Sequence, residues 1–236
     1  MKYRNIHPWN VTPQQAMKIQ AELRAQVVLK SDFSGVGLIA GADIALDQDT
    51  NKGYAGVIVY RFPELVEVER CHAIEDITFP YIPGLLAFRE APVLLKAFDT
   101  LKHEPDVIIF DGQGIAHPRR VGIATHMGLL LDKPSIGCAK SRLIGTFEEP
   151  GTQAGEYALL EDSGEVVGAV LRTRDNVNPV FISPGHKMDL SSSIEIIMKC
   201  VDGYRIPKPT READHFVAEV KKGIFAPPDS YQQTLF

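Results

Sequence analysis

Val107-Ile108-Ile109-Phe110-Asp111-Gly112-Gln113-Gly114-Ile115-Ala116-His117-Pro118 is the stretch that decides the fold. Four large hydrophobes in a row, followed by a glycine-rich loop, read as a buried strand. The strand ends on a carboxylate, so Asp111 stands where a sheet gives way to a loop.

The flanking segments extend that sheet and cover it. Upstream, Thr12-Pro13 supplies a cap and a proline at the first helical position for a helix over 14–27. Three segments rich in valine and isoleucine, 38–46, 53–62 and 65–77, are separated by Gly, Asn, Asp or Pro and read as consecutive antiparallel strands. From 83 to 102 the apolar residues recur at three- and four-residue steps, as on a mostly buried helix, and Pro92 is expected to kink it. Downstream follow a helix over 123–131, a strand over 135–139, a hairpin-like pair around Gly164, a strand over 180–183 and a helix over 191–201. The whole reads as one α/β domain spanning 1–225, with a proline-led, polar and flexible tail at 226–236.

Composition narrows the class. With 236 residues, 44% hydrophobic and 23% charged, the chain has the proportions of a globular protein with one large core. No apolar run approaches the roughly 18 residues of a membrane span, and Met1 to His7 lacks the apolar core of a signal peptide, so a cytoplasmic protein is expected. Cys71, Cys138 and Cys200 are scattered and odd in number, which points to buried thiols rather than disulfides or a zinc site. The net charge of −5 runs against a nucleic-acid partner. Cations nevertheless gather locally. Arg119-Arg120 follow the Asp111 loop and Lys140-Ser141-Arg142 the next apolar run, with Arg172, Arg174, Lys187, Arg205, Lys208 and Arg211 beyond, so a basic rim is compatible with the balance.

The acids carry the chemistry. Asp43 lies within Leu38-Ile39-Ala40-Gly41-Ala42-Asp43-Ile44-Ala45-Leu46, where every neighbour is apolar or small and an ionised carboxylate is costly without a partner. A paired core aspartate is the ordinary explanation. Asp111 repeats the pattern, however, and two such carboxylates suit Mg²⁺, a hard cation that takes one or two protein carboxylates plus substrate phosphate. Taken alone, Glu90 reads as a solvated helix glutamate paired with Arg89, and Asp214 as a first-turn acid facing a helix dipole. His117, in the loop leaving Asp111, serves either to orient water and contact phosphate or to satisfy local carbonyls. His126, His186 and His215 read as structural. Pro80-Tyr81-Ile82-Pro83 holds an aromatic in a stiff turn at little entropic cost. A wedge beside strand-borne carboxylates suggests a metal-dependent nuclease.

The runs Phe79 to Glu90, Phe110 to His126, Ile136 to Leu143, Pro179 to His186 and Arg205 to Asp214 closely resemble, in order, those of the endonuclease V family of deaminated-base repair nucleases. The resemblance extends from the first helix to about residue 215. It implies a ribonuclease H-like fold, a mixed sheet flanked by helices that places carboxylates on central strands. It further implies that Asp43 and Asp111 bind Mg²⁺, with Mn²⁺ as a substitute, that Glu90 is a further acid of the metal site, and that Asp214 fills the fourth acidic position. His215 is its competitor there, since a one-residue shift along a helix changes which side chain faces the metal. Lys140 and His117 match residues near the scissile phosphate. Pro80, Tyr81, Ile82 and Pro83 match the strand-separating wedge. Gly84, Leu85, Leu86, Gly112, Gly122 and Ile123 supply small or apolar walls for a flipped hypoxanthine.

The implied reaction is hydrolysis of the second phosphodiester bond 3′ to deoxyinosine in DNA by a monomer, leaving a 5′-phosphate. Two other readings stand beside it: an endoribonuclease cutting inosine-containing single-stranded RNA, and a non-catalytic lesion-binding or recruitment module, against which intact Asp43, Glu90 and Asp111 argue. The ending Gln232-Gln233-Thr234-Leu235-Phe236 resembles the peptides with which bacterial DNA-repair proteins dock on the sliding clamp, with Gln232, Leu235 and Phe236 as its contacts.

Overall fold

The computed structural model describes residues 1–32 and 35–224; the clamp-type peptide at 232–236 lies outside them. An eight-stranded sheet runs through the chain. Its strands are β1 (Leu38–Asp47), β2 (Lys52–Arg61), β3 (Val66–Asp76), β4 (Val107–Phe110), β5 (Ser135–Ala139), β6 (Tyr157–Asp162), β7 (Glu165–Leu171) and β8 (Val180–Pro184). Their spatial order is β3-β2-β1-β4-β5-β8-β7-β6. β1, β4 and β5 run parallel at the centre, and antiparallel strands flank them on both sides.

Five helices complete the described chain: α1 (Pro13–Arg24), α2 (Leu86–Asp99), α3 (Ile123–Leu131), α4 (Leu190–Lys199) and α5 (Lys208–Lys221). α1 begins as its sequence dictates. The Thr12 hydroxyl accepts from the Gln15 N–H at 3.3 Å, the Gln15 side chain accepts from the Thr12 N–H at 2.8 Å, and Pro13 fills the first turn. Asp189 caps α4 through the Ser192 N–H at 2.7 Å. Pro92 lies inside α2, which continues unbroken on both sides of it.

The alternation of side chains along the strands divides the core into two layers. Ala40, Ala42, Ile108 and Phe110 face α2 and α3, packing with Leu94, Phe98, Met127 and Leu130. Ile39, Ile109 and Ile136 face α4 and α5, packing with Ile197, Phe216 and Val220. α1 lies outside the first layer. Ala16 joins Phe79, Leu85 and Phe88, while Leu23 joins Val121 and Leu129. All three cysteines are thiols, with Cys138 and Cys200 buried and Cys71 half-buried. Among the described residues no helix is long and apolar enough to cross a membrane.

Candidate active site

Strand register brings the acids together. β1 and β4 pair in parallel with Ala42 opposite Phe110, so Asp43 and Asp111 are neighbours one step further on. Both are odd-numbered like Ile39 and Ile109, and so both project towards the α5 layer. β5 lies beside β4, and Lys140 follows its last residue, Ala139. β4 and β5 therefore deliver Asp111 and Lys140 just past their carboxyl ends, where open α/β sheets characteristically place ligands, beside Asp43 in the middle of β1.

α5 supplies the next acid. It crosses β1 at Gly41, where an added Cβ would lie 2.0 Å from the Pro209 carbonyl oxygen. Only glycine permits that approach. Asp214 sits in the second turn of α5 rather than the first, and its Oδ2 lies 3.3 Å from Lys140 Nζ. The helix phase thus resolves the pair: Asp214 meets the cluster, whereas His215 is exposed and makes no ion pair with it. Glu90 enters from α2 on the opposite side of the sheet and is 9% exposed.

The electrostatics are those of crowded acids. Burial, and then the neighbouring Asp111, push the Asp43 carboxyl up to about 8. Burial, and then Asp43, push Glu90 up to about 8 as well. Lys140 Nζ contacts Asp111 Oδ2 at 2.6 Å. Burial lowers the affinity of that ammonium for its proton, but Asp111 and Asp214 outweigh it and hold the pKa above its ordinary value. Among the described residues no three acidic, histidine or cysteine side chains form a ready-made metal cage. The donor set nonetheless fits a hard divalent cation. Its donors are carboxylate oxygens, their mutual repulsion still holds Asp43 well above the usual carboxylate range, and an ammonium already stands between Asp111 and Asp214 as a stand-in cation.

Backbone contacts hold Lys140 in place. Arg205 Nη2 donates to the Lys140 carbonyl at 2.7 Å, and Gln113 Nε2 donates to the Ser141 carbonyl at 3.0 Å. Ser183 Oγ accepts from the Gly114 N–H at 2.7 Å, tying the Asp111 loop to β8.

A cavity of about 400 Å³ opens beside the cluster. One wall is the turn Tyr81, Ile82, Pro83 and Gly84, continued by Leu86 and Ala87; the other is Ala139 to Leu143. Asp111, Gly112, Gln113, His117, Val121, Gly122 and Ile123 close it. Tyr81 is 68% exposed at its mouth. Leu85, expected among the walls, instead turns its side chain into the core against Ala16, Phe79 and Phe88 from the N-cap position of α2. His117 is 3% exposed and stands in the wall rather than among the acids. Its Nδ1 accepts from the Arg119 N–H at 3.1 Å, so Nε2 carries the proton and donates to the Gly84 carbonyl at 2.9 Å. Burial, with Arg119 nearby, pushes its pKa down to about 4.

Gln20 was not singled out from sequence. It is 1% exposed on α1 and donates from Nε2 to the carbonyls of Gly84 and Val121, both at 3.1 Å. Its signal was a polar residue on the inward stripe Ala16, Gln20, Leu23. The other histidines have local work. His126 pairs with His7 through their Nε2 atoms at 2.6 Å, and His186 accepts from the Val28 N–H at 3.3 Å.

Known proteins share the sequence pattern and the fold. The sequence profile of endonuclease V matches residues 21–215. The endonuclease V of Methanothrix thermoacetophila is 52% identical over 213 residues, which cover 90% of this chain and 94% of that protein. The crystal structure of endonuclease V from Streptomyces avermitilis is 39% identical and superimposes with a TM-score of 0.87, covering 92% of this chain and 96% of that one. A Ciona intestinalis endonuclease V, crystallised with a 24-mer DNA containing an inosine followed by a ribo-adenosine, is 26% identical with a TM-score of 0.78, covering 90% of this chain and 98% of that one. The mixed sheet with its flanking helices is the expected ribonuclease H-like fold. By profile, identity and fold, the chain belongs to the endonuclease V family and is a nuclease, a hydrolase of phosphodiester bonds.

Proposed function

We propose that the chain is a Mg²⁺-dependent DNA repair endonuclease that extrudes deoxyinosine from the helix and hydrolyses the second phosphodiester bond 3′ to it. One observation carries this reading: the cavity beside the Tyr81 turn shares Asp111 and Lys140 with the acidic cluster. A base held in the cavity therefore sets its own strand against the carboxylates. Nucleases of this family are divalent-metal dependent, and the inosine in the DNA of the Ciona complex supports the lesion.

Each residue has a task in that scheme. Asp43 and Asp111 hold the ion, with Glu90 and Asp214 completing its surroundings. When bound, the ion activates the attacking water and offsets charge on the phosphate. Lys140, exchanged from Asp111 to the substrate, stabilises charge developing on the phosphate oxygens or on the departing 3′-oxygen. His117 is neutral and engaged at both nitrogens, so it orients the Gly84 turn rather than moving a proton. Pro80, Tyr81, Ile82 and Pro83 form the wedge, in which the exposed Tyr81 ring fills the space the extruded base leaves. Gly84, Leu86, Gly112, Gly122 and Ile123 wall the base pocket, with Leu85 packing behind it. Residues 1–225 are the catalytic unit, and 226–236 are dispensable for the chemistry.

Matched DNA and RNA strands carrying one inosine test this, with products mapped to the nucleotide. A nick at the second 3′ bond of DNA is expected. Cutting of RNA alone would move the function to RNA processing, and binding without any cut would make the chain a recruitment module.

A further inference from the structure

The cations beside the site are unequally committed. Arg120 meets Asp162 and Glu165, each at 2.8 Å, and Arg211 meets Asp202 at 2.6 Å and Glu212 at 3.0 Å. Arg172 meets Glu149 at 3.0 Å, and Lys187 meets Asp132 at 2.8 Å. Among the described residues half of the basic rim anticipated from sequence, these four with Lys140, is thus neutralised within the protein. Arg119 differs. It is half-buried, yet among the described residues it pairs with no carboxylate.

Its guanidinium is held by neutral oxygens instead. Nε donates to Gln20 Oε1 at 2.5 Å, and Nη2 donates to the Gly84 carbonyl at 2.6 Å. A guanidinium has five N–H donors, so these two bonds leave three without an acceptor among the described residues. Nη1, which has no partner among the described residues, is not a buried unsatisfied atom, so its two donors reach solvent. The Gly84 carbonyl meanwhile receives three donors, from Gln20, His117 and Arg119, for two lone pairs. Arg119 can release it without leaving that oxygen bare. A fixed, planar, uncompensated fork of N–H groups matches a phosphate. Gly84 directly follows the Pro80–Pro83 turn, which places this fork at the foot of the wedge.

We propose that Arg119, oriented by Gln20, binds a backbone phosphate of the nucleic acid at the base of the Tyr81 wedge. Phosphate binding and seating of the wedge turn then share one side chain. The inference rests on the nucleic-acid reading above but needs neither lesion recognition nor cleavage.

The test is fluorescence anisotropy with an undamaged labelled duplex in chelator, across a salt series. The variants are Arg119→Gln, Arg119→Lys and, as a control, Arg24→Gln, an arginine on the same helix as Gln20 but paired with Glu165 at 3.0 Å. Removing one phosphate contact should make the slope of log affinity against log salt shallower by about 0.9. Arg119→Gln should show that change. Arg119→Lys, which keeps the charge, and Arg24→Gln should keep the wild-type slope. An unchanged slope in Arg119→Gln, or an equal loss in Arg119→Lys, overturns the proposal. Absence of duplex binding by the wild type would instead overturn the nucleic-acid reading itself.

Discussion

Gly41→Ala tests how the fold builds the site. An alanine Cβ would lie 2.0 Å from the Pro209 oxygen and 2.2 Å from its carbonyl carbon. Carbon contacts settle at about 3.5 Å, so the start of α5 has to retreat by roughly 1.5 Å from β1. Both sides of the clash are backbone, and no rotamer relieves it. Overpacking of this kind costs about 1–3 kcal/mol, here expected near about 3. At roughly 2–4 °C per kcal/mol for a chain of this size, the melting temperature should fall by about 6–12 °C. Asp214 rides on the displaced helix, and a misplacement of about 1 Å is worth roughly 10²-fold in rate. Thermal melts and single-turnover cleavage read the two effects. Gly35→Ala, with no atom of the described residues within 4 Å of its Cβ, is the control and should change neither. A Gly41→Ala protein that melts and cuts like wild type would refute the packing argument.

Other substitutions separate the parts. Tyr81→Ala, at a side chain 68% exposed, should alter stability by no more than about 0.5 kcal/mol while lowering the ratio of lesion to undamaged cleavage; an unchanged ratio counts against the wedge. Asp43→Asn relieves buried like charge, so its metal-free form should melt higher than wild type near pH 8, and the stabilisation by Mg²⁺ should vanish; retained stabilisation would remove Asp43 from the ion site. Lys140→Met should cost about 10²–10³ in rate yet retain lesion binding in chelator, and loss of binding alone would contradict its role. His7, His117, His126 and His186 all have pKa values lowered by burial. Each contributes stability that is complete above about pH 6.5 and declines by up to about 1.4 kcal/mol per pH unit below it. For His117 the decline ends near its folded value of about 4. Asp43 and Glu90 titrate in the opposite sense, so Asp43→Asn/Glu90→Gln isolates the effect. Urea midpoints of that variant should fall between pH 7 and 5, and equal midpoints would exclude buried neutral imidazoles.

Much of this was legible before the fold was known. β1 and β4 announced themselves as apolar strands interrupted by acids, and the structure pairs them so that Asp43 and Asp111 adjoin. The harder features depended on distance or phase. Asp214 and His215 differ by one step on a helix, and the close approach of Pro209 to Gly41 fixes which one meets Lys140. The inward turn of Leu85 depends on where α2 begins, which lies three residues beyond the expected start at 83. Arg119 and Arg120 are neighbours in sequence, but Asp162 and Glu165 neutralise only Arg120, across more than 40 residues. Gln20 acts on Gly84 from 64 residues away. Local pattern carries periodicity and capping, not these tertiary partners.

The central claim is that the Asp43–Asp111 cluster cuts the strand whose base occupies the adjoining cavity. Its most direct test is cleavage of an end-labelled duplex bearing one deoxyinosine, with Mg²⁺ or chelator, by wild type and Asp111→Ala, beside an undamaged duplex. The account predicts a Mg²⁺-dependent nick at the second bond 3′ to the lesion, absent in Asp111→Ala and in the undamaged duplex. Equal cutting by Asp111→Ala, or cutting that ignores the lesion, would contradict it.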